Sequence, residues 1–221
     1  MNPNPELLTT REAAVVAGVD VRDINRLIDE HILPNEVFEN DSTRLLWAGA
    51  CALVRFYYGA EKALTADERK SAIRHVCEEV RIERSTWTIK RWRNNRPNWT
   101  YRHDGFLTLN FAHFVEDTIA GHDRLSKARE LVVEDPHILS GTPVIKGTRV
   151  PVYDIAASAA RGLSPAEIKE DYPSLDEEKI GLAILYAKAT PQRGRPKSVS
   201  PASRGTTISR KVVRRRPASN S

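Results

Sequence analysis

Apolar residues recur at helical spacing near the start of the chain. Val21, Ile24, Leu27 and Ile28 fall on one stripe, and Arg22, Asp23, Asn25, Arg26, Asp29 and Glu30 lie off it. That spacing predicts an amphipathic helix over residues 21–31, capped by Asp20. Ahead of it, Ala13, Ala14, Val16 and Ala17 give a short helix a small apolar face, opened by Thr9 or Thr10 and stopped by Gly18. Two short helices joined by Gly18-Val19-Asp20 make a helix-turn-helix pattern. Pro, Asn and Asp punctuate residues 34–47 around the apolar pieces 37–38 and 45–47, which predicts a small wing. Residues 48–60 read as a buried helix, and Thr65-Ala66-Asp67-Glu68 is a capping box opening another through residue 80.

The pattern then changes. Over residues 81–102, seven arginines and lysines interleave with Trp87, Trp92, Trp99 and Tyr101, which predicts a β-ribbon, followed by a strand over 106–111 and a helix over 114–131. The ribbon has two readings: basic side chains and rings that contact nucleic acid, or tryptophans that pack on the body beneath solvated arginines. The packing reading is preferred. From residue 132, Ser140-Gly141-Thr142-Pro143 and Lys146-Gly147-Thr148-Arg149 are turns around Val144-Ile145 and Val150, which predicts a small hairpin. Helices follow over 152–161, from Ser164-Pro165-Ala166-Glu167 to Tyr172-Pro173, and from Asp176 onward with Ile180, Ala183, Ile184 and Ala187 facing inward. Beyond residue 190 the chain is Pro, Ser, Gly and Arg with almost nothing apolar, a composition expected to be disordered alone.

The expected fold is therefore mainly α with small β-ribbons. Four segments are expected: a helix-turn-helix unit at 1–64, a middle helical and ribbon region at 65–131, a hairpin plus homeodomain-like three-helix unit at 132–189, and a disordered basic tail at 190–221. Charge sharpens that division. The chain carries a net +5, with 6 Lys/Arg against 10 Asp/Glu in residues 1–64 and 6 against 9 in 131–188. Residues 189–221 hold 9 against none, so the basic character belongs to the tail.

Composition also narrows the function classes. No apolar run approaches the roughly 20 residues needed to span a bilayer, and residues 1–8 lack the basic start and apolar centre of a signal peptide. The two cysteines, Cys51 and Cys77, form no CxxC pair and read as buried, reduced thiols of a cytoplasmic protein. No glycine-rich phosphate loop, HExxH or nucleophile elbow is present, and the six histidines show no ligand spacing. His113 and Asp117 share a predicted helix face, but a lone pair of that kind is usually solvated. No enzymatic activity, metal or cofactor is expected.

The run Asp135-Pro136-His137-Ile138-Leu139-Ser140-Gly141-Thr142-Pro143-Val144-Ile145-Lys146-Gly147-Thr148-Arg149-Val150-Pro151-Val152 carries a resemblance, as does Gly162-Leu163-Ser164-Pro165-Ala166-Glu167-Ile168 through Asp171-Tyr172-Pro173-Ser174-Leu175. Residues 132–189 resemble a bacterial domain-of-unknown-function family, a short hairpin with a homeodomain-like three-helix fold, that is similar to VapB-type antitoxins. The N-terminal unit resembles the MerR-like helix-turn-helix modules that precede this domain in longer antitoxins. The resemblance implies a homodimeric antitoxin of a type II toxin–antitoxin system, with a PIN-like ribonuclease toxin and operator DNA as partners.

Candidate residues follow from both readings. Arg22, Asn25 and Arg26 are presented by the second helix to bases or phosphates. The acidic neighbours Asp23, Asp29 and Glu30, and a net −4 over residues 1–64, favour instead a cap used for packing or dimerisation. DNA binding is the preferred reading. In the C-terminal unit, Asp176-Glu177-Glu178 opens the last helix and would repel DNA there, so that unit is expected to bind protein. Arg149 serves either the signature or merely its hairpin. The resemblance implies a toxin site that holds a divalent metal with carboxylates. Tail cations could occupy the metal's place there, and Arg193, Arg195 and Lys197 lie nearest the folded unit; the tail could instead add non-specific DNA affinity, or be only a solvated, solubilising segment. The alternative is a stand-alone helix-turn-helix transcription regulator with no toxin partner.

Overall fold

The computed structural model describes residues 4–40, 43–79, 84–103 and 107–192. Among them the chain is mainly helical with three small antiparallel sheets. Strand β1 (Leu7–Thr9) leads directly into α1 (Thr10–Ala17). Thr9 caps that helix, accepting from the Glu12 N–H, while Glu12 reaches back to the Thr9 N–H, so two orphan donors are satisfied reciprocally. Gly18, at φ 72°, ends the helix in the left-handed conformation. Helix α2 (Val21–Asp29) follows, with Ile24, Leu27 and Ile28 buried as its stripe predicted.

Strands β2 (Phe38–Asn40) and β3 (Arg44–Trp47) form the expected small ribbon. A third strand that the pattern did not predict joins it: β1 pairs with β3 through Leu8 and Leu46, giving the order β1–β3–β2. Helix α3 (Ala50–Gly59) is almost wholly buried, and α4 (Ala66–Glu79) starts at the Thr65–Glu68 capping box.

The expected ribbon over 81–102 needs correction. Residues Arg84–Trp87 form a 3-10 turn, and Ile89–Asn94 is a helix, α5. The ribbon is confined to β4 (Thr100–His103) and β5 (Leu107–Asn110). The cause is a distant side chain. Glu6 accepts hydrogen bonds from the Ile89 N–H at 2.7 Å and the Lys90 N–H at 2.9 Å, capping α5 from the other end of the region. The same turn buries Trp87 and Trp92, whose rings meet each other and Trp99 at centroid distances of 5.2–6.4 Å. The tryptophans therefore pack, and a stacking platform built on Trp87 and Trp92 has no exposed face to offer. Of the arginines, Arg93 pairs with Asp123, and Arg96 with Glu116 at 3.1 Å.

Helix α6 (Ala112–Leu131) lies against α1, α3, α5 and α9. It crosses α1 closely enough that a Cβ on Gly121 would sit 2.6 Å from the Val16 carbonyl oxygen. That same oxygen accepts from Arg55, at 3.2 Å to Nε and 2.8 Å to Nη2, which satisfies a carbonyl at the end of α1. Near its other end, Arg129 pairs with Glu12 at 2.6 Å, with side chains 19% and 9% exposed. Glu12 thus closes the α1 capping box and neutralises a largely buried guanidinium at once.

Strand β6 (Val132–Val133) leaves α6 without a turn and pairs with β7 (Val144–Ile145). The hairpin expected at 144–150 is present as a bridge from Val144 to Pro151 and a bond from the Ile145 N–H to the Val150 carbonyl, but its sheet partner comes from residues 132–133. Helices α7 (Val152–Ala160), α8 (Pro165–Asp171) and α9 (Glu177–Ala189) follow. There are two cores. The larger draws on residues from Leu8 to Leu125 and adds Ala189, while the smaller runs from Ala128 to Tyr186. Leu185 packs on both.

Candidate nucleic-acid interface

The exposed side of α2 is built by local rules. Asp20 and Asp23 spend their carboxylates on the helix start: Asp20 accepts from the Arg22 N–H at 2.8 Å, and Asp23 from the Asp20 N–H at 3.0 Å. With Ile24, Leu27 and Ile28 buried, Arg22, Asn25 and Arg26 share the outer face, Arg22 and Arg26 exposed and Asn25 half-buried. The structure thus brings the three predicted residues together on one side of one helix. From α3, Tyr58 donates to the Asp23 carbonyl at 3.2 Å and fixes the helix start against the core. Burial, then the nearby Asp23, push its phenol up to about 12.

The electrostatics of that face are tightly paired. The Arg26 Nε lies 2.8 Å from Glu30, and this hydrogen bond, then the charge behind it, holds the guanidinium still more firmly in its charged form. Arg44, the first residue of β3, lies 2.7 Å from Asp29 and donates to Asn25 at 3.4 Å. The small sheet therefore delivers a cation to the helix face. Residue patterning along α2 alone does not reveal Arg44. The available signal was its position as a lone cation inside the expected wing. Arg22 makes no ion pair among the described residues. Asp29, Asn40 and Arg44 edge a shallow open groove between α2 and the ribbon.

The other helix pair, α8 and α9, is different in kind. Ser164 and Glu167 form a capping box with Pro165 at the first helical position, and Asp176 accepts from the Lys179 N–H at 2.7 Å. Bonds from the Ser164 N–H and hydroxyl hold the Glu167 carboxyl below its ordinary range, and the Lys179 N–H does the same for Asp176. Helix α9 lies against α1, α6, α7 and α8. Its free end bears Glu177 and Glu178.

Residues 134–143 form a loop closed at its base by the β6–β7 pair. Asp135 accepts from the His137 N–H at 2.8 Å, Ile138 donates to the Asp135 carbonyl at 2.9 Å, and the Thr142 hydroxyl donates to the Leu139 carbonyl at 2.7 Å. At its tip Leu139, Ser140 and Gly141 are all left-handed, with φ of 45°, 56° and 82°. For the two non-glycine residues that conformation costs on the order of 1–2 kcal/mol each. At the loop base, Tyr186 of α9 donates to Glu134 at 3.3 Å. Arg149 is exposed and makes no ion pair among the described residues, so nothing there binds it into the hairpin.

The remaining candidates can be placed briefly. Arg193, Arg195 and Lys197 lie outside the described residues. Asp117 faces Arg55 at 3.5 Å, and His113 lies against the Phe114 ring. Burial pushes the Cys51 and Cys77 thiols up to about 12. Among the described residues, no three His, Cys, Asp or Glu side chains gather as a metal-ligand set, and no helix is long and apolar enough to cross a membrane.

Comparison with known proteins adds three findings. A family model described as "Protein of unknown function (DUF433)" matches residues 132–187. The chain is similar to "Uncharacterized protein y4eO" of Sinorhizobium fredii, with 46% identity over 213 residues, covering 96% of this chain and 95% of that one. Among solved structures, Rv2018 from Mycobacterium tuberculosis covers 81% of this chain and 97% of its own at 16% identity. Its TM-score of 0.36 is too low to support any argument.

Proposed function

We propose, from the premise that this chain belongs to the same family as the rhizobial protein y4eO, that it is an antitoxin which binds a partner ribonuclease and its own operator DNA. The observation that carries the DNA arm is the outer face of α2. Arg22, Asn25 and Arg26 share it, and the adjoining strand adds Arg44. In this reading α1 and α2 are a helix-turn-helix, α2 enters the major groove, and β2–β3 is the wing beside it. A homodimer would set two such helices on paired half-sites. The paired carboxylates Asp29 and Glu30 hold two of the cations, which favours base contacts over indiscriminate phosphate attraction.

The protein arm rests on the signature in residues 132–189 and on the match of residues 132–187 to a family model. In this reading the acidic C-terminal unit seats on a PIN-like ribonuclease, and Arg193, Arg195 and Lys197 reach its carboxylates. The whole is a non-enzymatic protein of the cytoplasm.

Two assays on the full-length protein test the proposal. Fluorescence anisotropy should show binding to DNA from its own promoter at least about a hundredfold tighter than to random DNA at physiological salt. Arg22→Ala should remove most of that margin. Co-expression with the product of the adjacent reading frame should give a stable complex in which RNA cleavage is suppressed. Equal affinity for promoter and random DNA overturns the operator arm. Operator binding without capture of the neighbour overturns the antitoxin arm and leaves a stand-alone transcription regulator.

A further inference from the structure

Leu139 stands out at the tip of the 134–143 loop. It is the exposed large hydrophobic residue of the described chain, at 48%. It is also left-handed, as are Ser140 and Gly141 after it. Leucine gains nothing from that backbone, and about half of its surface stays open. Single exposed apolar residues are common and need no explanation. A leucine held out by a strained backbone is another matter, because strain of this kind survives only where surrounding structure enforces it, and it concentrates at binding and switching sites.

The enforcement is visible. The β6–β7 pair closes the loop, Tyr186 holds Glu134 at its base, and Asp135, Ile138 and Thr142 bond within it. The loop is thus tied within itself and at its base, and an anchor constrained before binding loses less conformational freedom on binding.

We infer that Leu139 is the apolar anchor by which the C-terminal unit docks on its protein partner, entering an apolar pocket rimmed by cationic side chains. The cationic rim follows from charge. Residues 131–188 hold 9 Asp/Glu against 6 Lys/Arg, and Glu134 is exposed at the loop base. A surface that grips RNA is cationic for the same reason that RNA is anionic, so the acidic unit complements a ribonuclease face. This inference rests on the antitoxin reading, and it locates the protein contact in the folded unit as well as in the tail.

The test is calorimetric titration of the purified adjacent-frame protein with the full-length chain, as wild type, Leu139→Gly and Leu139→Ala, beside thermal unfolding of each chain alone. Both variants should weaken binding by about 10- to 100-fold. Leu139→Gly should not lower the Tm, because glycine accepts the left-handed backbone without strain. A Tm that falls with Leu139→Gly marks the side chain as a packing residue and overturns the inference. So does binding by both variants within about twofold of wild type. If wild type itself fails to bind, the antitoxin reading falls and this inference with it, a failure distinct from one seen only in the variants.

Discussion

Two helix pairs in this protein are capped alike and present different surfaces. In both, a capping box opens one helix and an acidic residue caps the second. Yet α2 is buried on one stripe and open on the other, where Arg22, Asn25 and Arg26 lie with Arg44 beside them. Helix α9 touches neighbours on several sides, starts on the exposed Glu177 and Glu178 and ends on the exposed Lys188. The lesson is that local sequence rules make the pair, while the surroundings decide which face is available. In the function proposed above, the first pair meets DNA and the second does not.

The comparison can be broken most forcefully at the cores. Ile155→Ala empties a fully buried position in the smaller core and should cost about 2–5 kcal/mol. Trp47, Trp87, Trp92 and Trp99 all belong to the larger one. If α6 and Leu185 weld the two, tryptophan fluorescence and far-ultraviolet dichroism should report one denaturant midpoint, shifted equally. Two separate midpoints would show that the regions melt apart. Next in size, Arg129→Ala leaves Glu12 largely buried without its partner and should cost about 3 kcal/mol, read from the same denaturant curves.

Smaller effects test the face of α2 itself. Asp29→Asn should free Arg44, raise affinity for random DNA several-fold and steepen the dependence of log affinity on log salt by about one unit. Glu177→Gln on α9 should change neither, if that end stays away from DNA. The smallest effect is one of pH. The carboxyls of Glu167 and Asp176 are held below their ordinary values, so their stabilisation is complete above the unfolded-state values. It is lost as pH falls through the lower folded ones. The stability these two groups contribute should therefore hold from neutral pH down to about pH 4 and decline below it. Glu167→Gln should flatten part of that decline.

Much of this was legible in the residue pattern, and the remainder was hidden for identifiable reasons. The stripe of α2, the stop at Gly18 and the caps at Thr65, Ser164 and Asp176 are encoded within a few residues of where they act. The predicted trio on α2 came out on one face for the same reason. The helix at 89–94 was read as ribbon because its cap is Glu6, a neighbour only in space. Strand β1 was missed because three residues carry no period. Arg44 escaped because its place beside Asn25 is set by strand pairing, and the strained turn at Leu139 because side-chain identity does not report φ.

Helix α6 and the end of α9 also bear on how the protein is made. Helix α1 rests on both, and Ala189 sits in the core that Leu8 begins. During synthesis, 172 residues (189 − 17) separate the end of α1 from the residue that completes its cover. At ordinary ribosomal speeds that is a wait on the order of ten to thirty seconds, with the apolar side of α1 partly bare. The N-terminal unit is thus finished only when the C-terminal unit is, and a polypeptide stalled before α9 leaves surface that proteases find. A chain translated through Ala189 therefore carries the residues that cover α1, on which α2 packs.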